Sequence, residues 1–334
     1  MPRYNYDALK QRRVWSKTSD VLPALSRVAA DPQAMRRVAA MASAFSARFS
    51  VANAATPAID GVSTNPFVLA AYAQRAGLTS PYQIDAALVG AKMFSSLETA
   101  SGRIVEDIVP GMYGWSQVPS AAHSVLTEVD SADARASGLV RLIALKSGPA
   151  CINDTMAKRI GNAVAEHLLA WAAHWGVTSV EFTVGMNYST PSNSNHKDYQ
   201  AVRLAEVGLR AAGATINRSC EAPPLAGQKR PVALAGGLQA TLNGVTLTMR
   251  ERQGIDLWDY VATPTPDVVM EISCALAKAA APSAVLAPAP ALTTSGLVAA
   301  VAPGGLRPPP ALLTDAQLPW LFLFLRHYVD ELTP

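Results

Sequence analysis

Apolar positions along the 334-residue chain recur at two different spacings, and the switches between them mark out the elements. Leu139, Val140, Leu142, Ile143 and Leu145 form an apolar run of strand length. The run starts from Ser137 and Gly138 and is stopped by Ser147, Gly148 and Pro149. Asn153 and Asp154 then supply a helix N-cap, and Thr155 to Trp175 sets Ile160, Val164, Leu168 and Trp171 along one helical stripe. Gly176 stops that helix, and Thr178 to Val184 is the next strand. Strand, helix and strand joined this tightly predict a right-handed βαβ unit with parallel strands. Further on, Leu238 to Arg250 alternates on either side of Asn243 and Gly244, the signature of a type I′ hairpin.

The remaining segments are read the same way. Residues 1–75 are predicted helical, with Ser19 and Asp20 capping one helix whose apolar face is Leu22 to Val28. Ala34 to Arg48 is a second helix with Arg36, Arg37 and Arg48 on its polar side, and Asn53 to Pro66 reads as a loop. A helix, or two abutting ones, spans Pro81 to Val109 and ends at Pro110 and Gly111. Glu98 and Glu106, about two turns apart, share a face of it. Ser124 to Val129 is expected as a strand ending at Asp130, with 131–138 as the turn into the strand 139–146. Tyr199 to Ala212 and Asp267 to Ala280 are helices, and Thr215 to Ser219 and Pro231 to Leu234 are short strands. Proline and alanine dominate 281–312, which predicts an extended connector before a final helix capped by Thr314 and Asp315. Four regions follow: 1–80 helical, 81–280 an α/β core, 281–312 the connector and 313–334 the last helix.

Half of the residues are hydrophobic and 16% are charged, a globular composition with room for a large core. The net charge of +3 permits nucleic-acid binding without requiring it. Cys151, Cys220 and Cys274 are odd in number and far apart, which predicts neither disulfides nor a zinc site and fits a reducing cytoplasm. The apolar run Leu318 to Leu325 is too short to cross a bilayer. Met1 to Asp7 has no apolar segment behind a basic start, so no signal peptide is expected. No P-loop or dinucleotide fingerprint is present.

Chemistry concentrates at Lys146, the last position of the 139–146 strand. A lysine there needs a partner or a cleft, and in open α/β sheets the clefts lie outside the carboxyl ends of strands. Glu128, Asp130 and Asp133 precede it in sequence. A carboxylate joined to a strand-end lysine can hold a divalent cation and activate water beside a phosphate.

Lys146-Ser-Gly-Pro149 with Ile152-Asn153 resembles the active-site strand of type II restriction endonucleases of the PD-(D/E)xK superfamily. Three further blocks are similar to that group: 95–109 with Glu106, 180–188, and Gly254-Ile-Asp-Leu-Trp258. The resemblance spans about residues 90–275 and implies a mixed sheet flanked by helices, Mg²⁺-dependent cleavage of double-stranded DNA by a homodimer, a bacterial cytoplasmic setting and a companion DNA methyltransferase. It implies Asp130 and Glu106 as metal ligands, with Lys146 beside the phosphate and Asp133 as the alternative to Asp130. For DNA contact it points to the polar segment Asn187, Tyr188, Ser192, Asn193, Asn195, His196 and Lys197, and to the basic loop Lys229 and Arg230, with Arg250 and Arg252 extending a basic rim.

One position departs from the motif. The superfamily carries an acid two residues before the lysine, and this chain has Ala144. Three explanations stay open: a migrated glutamate (Glu106 or Glu166), a Glu-to-Ala change made to trap an uncleaved complex, or a non-cleaving DNA-binding relative. A small-molecule α/β enzyme or a structural protein is the competing class.

Overall fold

Strand and helix signals of the βαβ unit hold almost to the residue, because three independent cues agree there. In the computed structural model, which describes residues 21–54, 104–119, 122–148, 151–189, 195–222, 232–233, 236–280, 308–315, 317–325 and 328, strand β3 is Leu139–Lys146. Helix α4 follows as Asp154–Trp175. Asn153 caps it by accepting the Met156 N–H at 2.9 Å, and Gly176 closes it in the left-handed region. Strand β4, Ser179–Met186, pairs parallel to β3, as the connection predicts.

Among the described residues seven strands form one mixed sheet in the order β1-β2-β3-β4-β9-β8-β5. The others are β1 (Ser116–Gln117), β2 (Ser131–Asp133), β5 (Thr215–Arg218), β8 (Leu238–Leu242) and β9 (Val245–Gln253). β6 (Glu221–Ala222) and β7 (Val232–Ala233) pair separately. β3, β4 and β9 are parallel and end together, with Lys146 level with Met186 and Met186 level with Gln253. The β8–β9 hairpin turns at Asn243 and Gly244, both at positive φ.

Helices cover both faces. Val140, Leu142 and Ala144 of β3 and Phe182 and Val184 of β4 pack with α4 and α5 (Lys197–Ala211), where Trp171 stacks on Phe182 at 5.3 Å. Ile143 and Leu145 face the opposite layer. That layer contains α1 (Val21–Ala30), α2 (Pro32–Ala54), α3 (104–112), α6 (Gly254–Ala262), α7 (Val268–Ala280) and α8 (Leu318–Leu325). α7 is buried along most of its length because α2, α6 and α8 all pack on it. Its Glu271 is neutralised inside the layer by Arg37, two bonds of 2.7 Å, and by the Tyr113 hydroxyl at 2.9 Å. Arg37 therefore points inward, away from the solvated face expected for it.

Several boundaries differ from the expectation. Residues 124–129 are turns and not a strand. Leu126 and Val129 are buried there, and Trp171 Nε1 binds the Val125 carbonyl at 2.9 Å, so the segment wraps the end of α4. α3 runs through Pro110 and Gly111 to 112, and the last helix starts only at Leu318. α2 continues through Ala54, into the stretch read as a loop. Most of the 281–312 connector lies outside the described residues.

Candidate active site at the exit of strand β3

Asp130 immediately precedes β2, and β2 runs antiparallel to β3 with Ser131 opposite Ile143. The residue before β2 therefore lies beside the carboxyl end of β3, the placement the sequence could reach only with an asymmetric hairpin. Its N–H donates to the Ile143 carbonyl at 2.8 Å. Beyond that point β2 no longer faces β3, so the Leu145 N–H needs another acceptor. Asp130 Oδ2 supplies it at 2.6 Å, and the same oxygen meets Lys146 Nζ at 3.3 Å. Asp130 Oδ1 has no hydrogen-bond partner among the described residues. The two side chains are 28% and 15% exposed, open enough to reach a ligand and shielded enough to feel each other.

Glu106 approaches from α3. Its Oε1 lies 3.5 Å from the Ser147 hydroxyl, one residue past Lys146. The Cys151 thiol lies in the same turn. Burial raises its pKa, the Gly148 N–H and the Lys146 ammonium oppose that rise, and Glu106 adds to it. Lys146 and Glu106 thus both lie within electrostatic reach of that thiol. The structure brings Asp130 and Lys146 into contact, and Glu106 reaches the residue that follows Lys146. Asp133 does not join them: it is buried in an ion pair with Arg135 and Arg141, which holds its pKa down at about 2. Glu166 is exposed on α4.

The chain matches no protein-family model and no curated protein.

Ala144 is fully buried in the layer facing α4. Extending the β2–β3 register by one residue puts it opposite Asp130. Position 144 therefore belongs to the same end of β3 as Asp130.

The polar segment after β4 is less exposed than expected. Asn187 is 3% exposed, and Ser189 is also buried. The Asn187 N–H extends the parallel ladder to the Lys146 carbonyl at 2.7 Å, and its own carbonyl takes Trp258 Nε1 at 2.9 Å. Full burial of Trp258, about 1.5–3 kcal/mol of apolar transfer, thus also pins the exit of β4. Gly254 starts α6 at φ 49°, and a Cβ there would sit 2.6 Å from the Ser189 carbonyl oxygen. The Gly254-to-Trp258 block holds β4's exit against β3's.

Tyr188 lies over Gly148, its hydroxyl 3.0 Å from where a Cβ on that glycine would be. Asn195 binds the Ile152 carbonyl at 2.8 Å and accepts the Lys197 N–H at 3.1 Å. Lys197 pairs with Asp154 and Gln200, and His196 sits at φ 60° before α5. Asn195, His196 and Lys197 thus belong to the junction that starts α5. Ser192, Asn193, Lys229 and Arg230 lie outside the described residues. Arg252 is not a rim residue, since it stacks 4.2 Å from the Tyr260 ring centre and binds Asp256 at 3.1 Å.

Among the described residues no group of three or more His, Cys, Asp or Glu side chains is arranged to hold a metal, and no helix is long and apolar enough to cross a membrane. Mg²⁺ asks for less than such a cluster, since one or two carboxylates with water and phosphate oxygens complete its shell. Asp130 Oδ1 is one such oxygen, and the Glu106 carboxylate at Ser147 is the other candidate. A half-buried acid that pattern reading missed is Glu251 on β9, pushed up to about 8 by desolvation and by Asp198 and Asp256, against its own backbone N–H and Arg252. Its signal was the run Arg250-Glu-Arg-Gln253, charged or polar on both faces at the end of a covered strand.

Proposed function

We propose that this chain is a Mg²⁺-dependent endonuclease that cleaves double-stranded DNA, with the PD-(D/E)xK fold and a type II restriction role, acting as a two-fold dimer beside a companion methyltransferase. The observation that carries the reading is the 3.3 Å contact of Asp130 and Lys146 at the common exit of parallel strands, with Glu106 at Ser147, the next residue. Asp130 and Glu106 would hold Mg²⁺, which when bound supplies charge neutralisation at the phosphate and a more acidic water. Lys146 neutralises the scissile phosphate and orients the attacking water. The Leu145 N–H fixes Asp130, so the carboxylate is set before substrate arrives. A two-fold dimer would present one such site to each strand of a palindrome.

Ala144 favours a second reading, a DNA-binding relative that does not cut. Its buried methyl stands opposite Asp130 and supplies no oxygen to the site. Digestion of mixed-sequence DNA with Mg²⁺ or Mn²⁺, followed by sequencing of the ends, separates the two. Discrete ends at one motif support the nuclease, whereas salt-sensitive binding with no nicking supports the relative. Ala144→Glu adds the arbitration: faster cleavage makes position 144 part of the ligand set, and an unchanged rate removes it.

A further inference from the structure

We infer that the face of β9, β8 and β5 turned away from α4 and α5 is a docking surface for the backbone of duplex DNA. Leu247 and Met249 of β9 and Leu238, Ala240 and Leu242 of β8 bury one face. The other face carries Thr246, Thr248 and Arg250 of β9, Gln239 and Thr241 of β8, and Thr215 and Arg218 of β5, by the antiparallel registers that set these residues opposite one another. On that side the helical layer covers β3 and β4, where Ile143 and Leu145 join its apolar cluster. No residue of β5, β8 or β9 joins it. The polar half of the sheet is therefore a floor beside a helical wall, exposed at Thr215, Arg218 and Thr246 and half-buried elsewhere.

Charge selects the occupant. Arg27, Arg37, Arg48, Arg135, Arg141, Arg159, Arg203, Arg210 and Arg252 each meet a carboxylate. Among the described residues Arg36, on the outside of α2, and Arg218 and Arg250, both on this floor, meet none; Arg250 Nε is buried with no hydrogen-bond partner. A half-buried guanidinium without a counter-ion calls for an external anion. A carboxylate on this side, Glu181, is level with Thr248 and already holds the Tyr260 hydroxyl at 3.0 Å. Threonine hydroxyls and an amide around two unpaired arginines suit phosphate oxygens. Arg250 is level with Thr183 and Thr183 with Ile143, two strand spacings or about 10 Å from the strand that ends in Lys146. The choice of DNA over another polyanion rests on the nuclease proposal.

The test is anisotropy of a labelled mixed-sequence 20-bp duplex across a salt series in EDTA, so that nothing is cut (the length is set at roughly two helical turns). Arg218→Gln with Arg250→Gln should lower affinity at least ~10-fold and reduce the salt slope by about 2. Arg218→Lys with Arg250→Lys should keep most of the slope, and Thr215→Glu should weaken binding without touching either arginine. Wild-type affinity and slope in the glutamine pair would overturn the surface, as would a wild-type chain that binds no duplex. The two proposals fail separately. A chain that binds with the full slope yet never cuts removes the nuclease alone, and a glutamine pair that binds and cuts at the wild-type rate removes the surface alone.

Discussion

At the exit of β3 a carboxylate meets an ammonium group; two strands away, near the exit of β9, a carboxylate meets other carboxylates. Asp130 has Lys146 at 3.3 Å and a backbone N–H at 2.6 Å, and part of it remains open to solvent. Glu251 sits close to Asp198, which the Gln253 amide binds, and burial keeps Glu251 protonated up to about pH 8. Both strands are parallel, adjacent to β4 and of similar length, so strand position does not set the difference. The immediate partners do: an ammonium group and a backbone N–H at Asp130, other carboxylates at Glu251. The first exit offers a carboxylate oxygen without a partner among the described residues, and the second holds a proton inside the fold.

Four substitutions break or sharpen that contrast. Lys146→Ala removes the cation from the first exit and should slow Mg²⁺-dependent cleavage by about 10²–10³-fold, measured as single-turnover rate on duplex DNA, with duplex affinity little changed. Glu251→Gln acts at the second exit, where the folded chain holds a proton that the unfolded chain releases near the ordinary value of 4.5. Stability from this group is therefore greatest below 4.5, falls as pH rises towards about 8, and levels off above it. The fall is at most about 1.4 kcal/mol per pH unit. Denaturant melts at pH 5, 7 and 9 should show a flatter profile in Glu251→Gln, with the largest gain at pH 9. Gly254→Ala forces a Cβ towards the Ser189 carbonyl at positive φ and should cost about 1–3 kcal/mol, read by thermal melting. Asn153→Ala removes the cap of α4 just after the β3 turn and should cost about 1 kcal/mol, with cleavage retained.

How far the pattern of residues revealed these two exits depends on how many cues overlapped. Around β3 the apolar run, the Gly148-Pro149 stop, the Asn153 cap and Gly176 agreed, so strand, helix and parallel partner were legible. Lys146 could be assigned to a strand exit because nothing else terminates that run. Asp130 was assigned to the end of a strand when it stands before one, since Leu126 and Val129 mimic a strand while serving the α4 interface. Loop exposure after β4 was misjudged for a tertiary reason: polar Asn187 and Ser189 are buried by Trp258 and Gly254, more than sixty residues later. Glu251 was hidden in a hairpin strand whose alternation reads as half-solvated, until α5 brings the charge of Asp198 to bear on it. Arg37 likewise looked solvated until α7 brought Glu271 to it.

The central claim is that Asp130 and Lys146 act as one unit on one phosphate. A double-mutant cycle of Asp130→Asn and Lys146→Met, read as single-turnover cleavage of duplex DNA in Mg²⁺, tests it most directly. Residues acting as a unit are strongly non-additive, so either single change should lose nearly as much rate as both together. Losses that multiply, or a single variant that cuts at the wild-type rate, would contradict it.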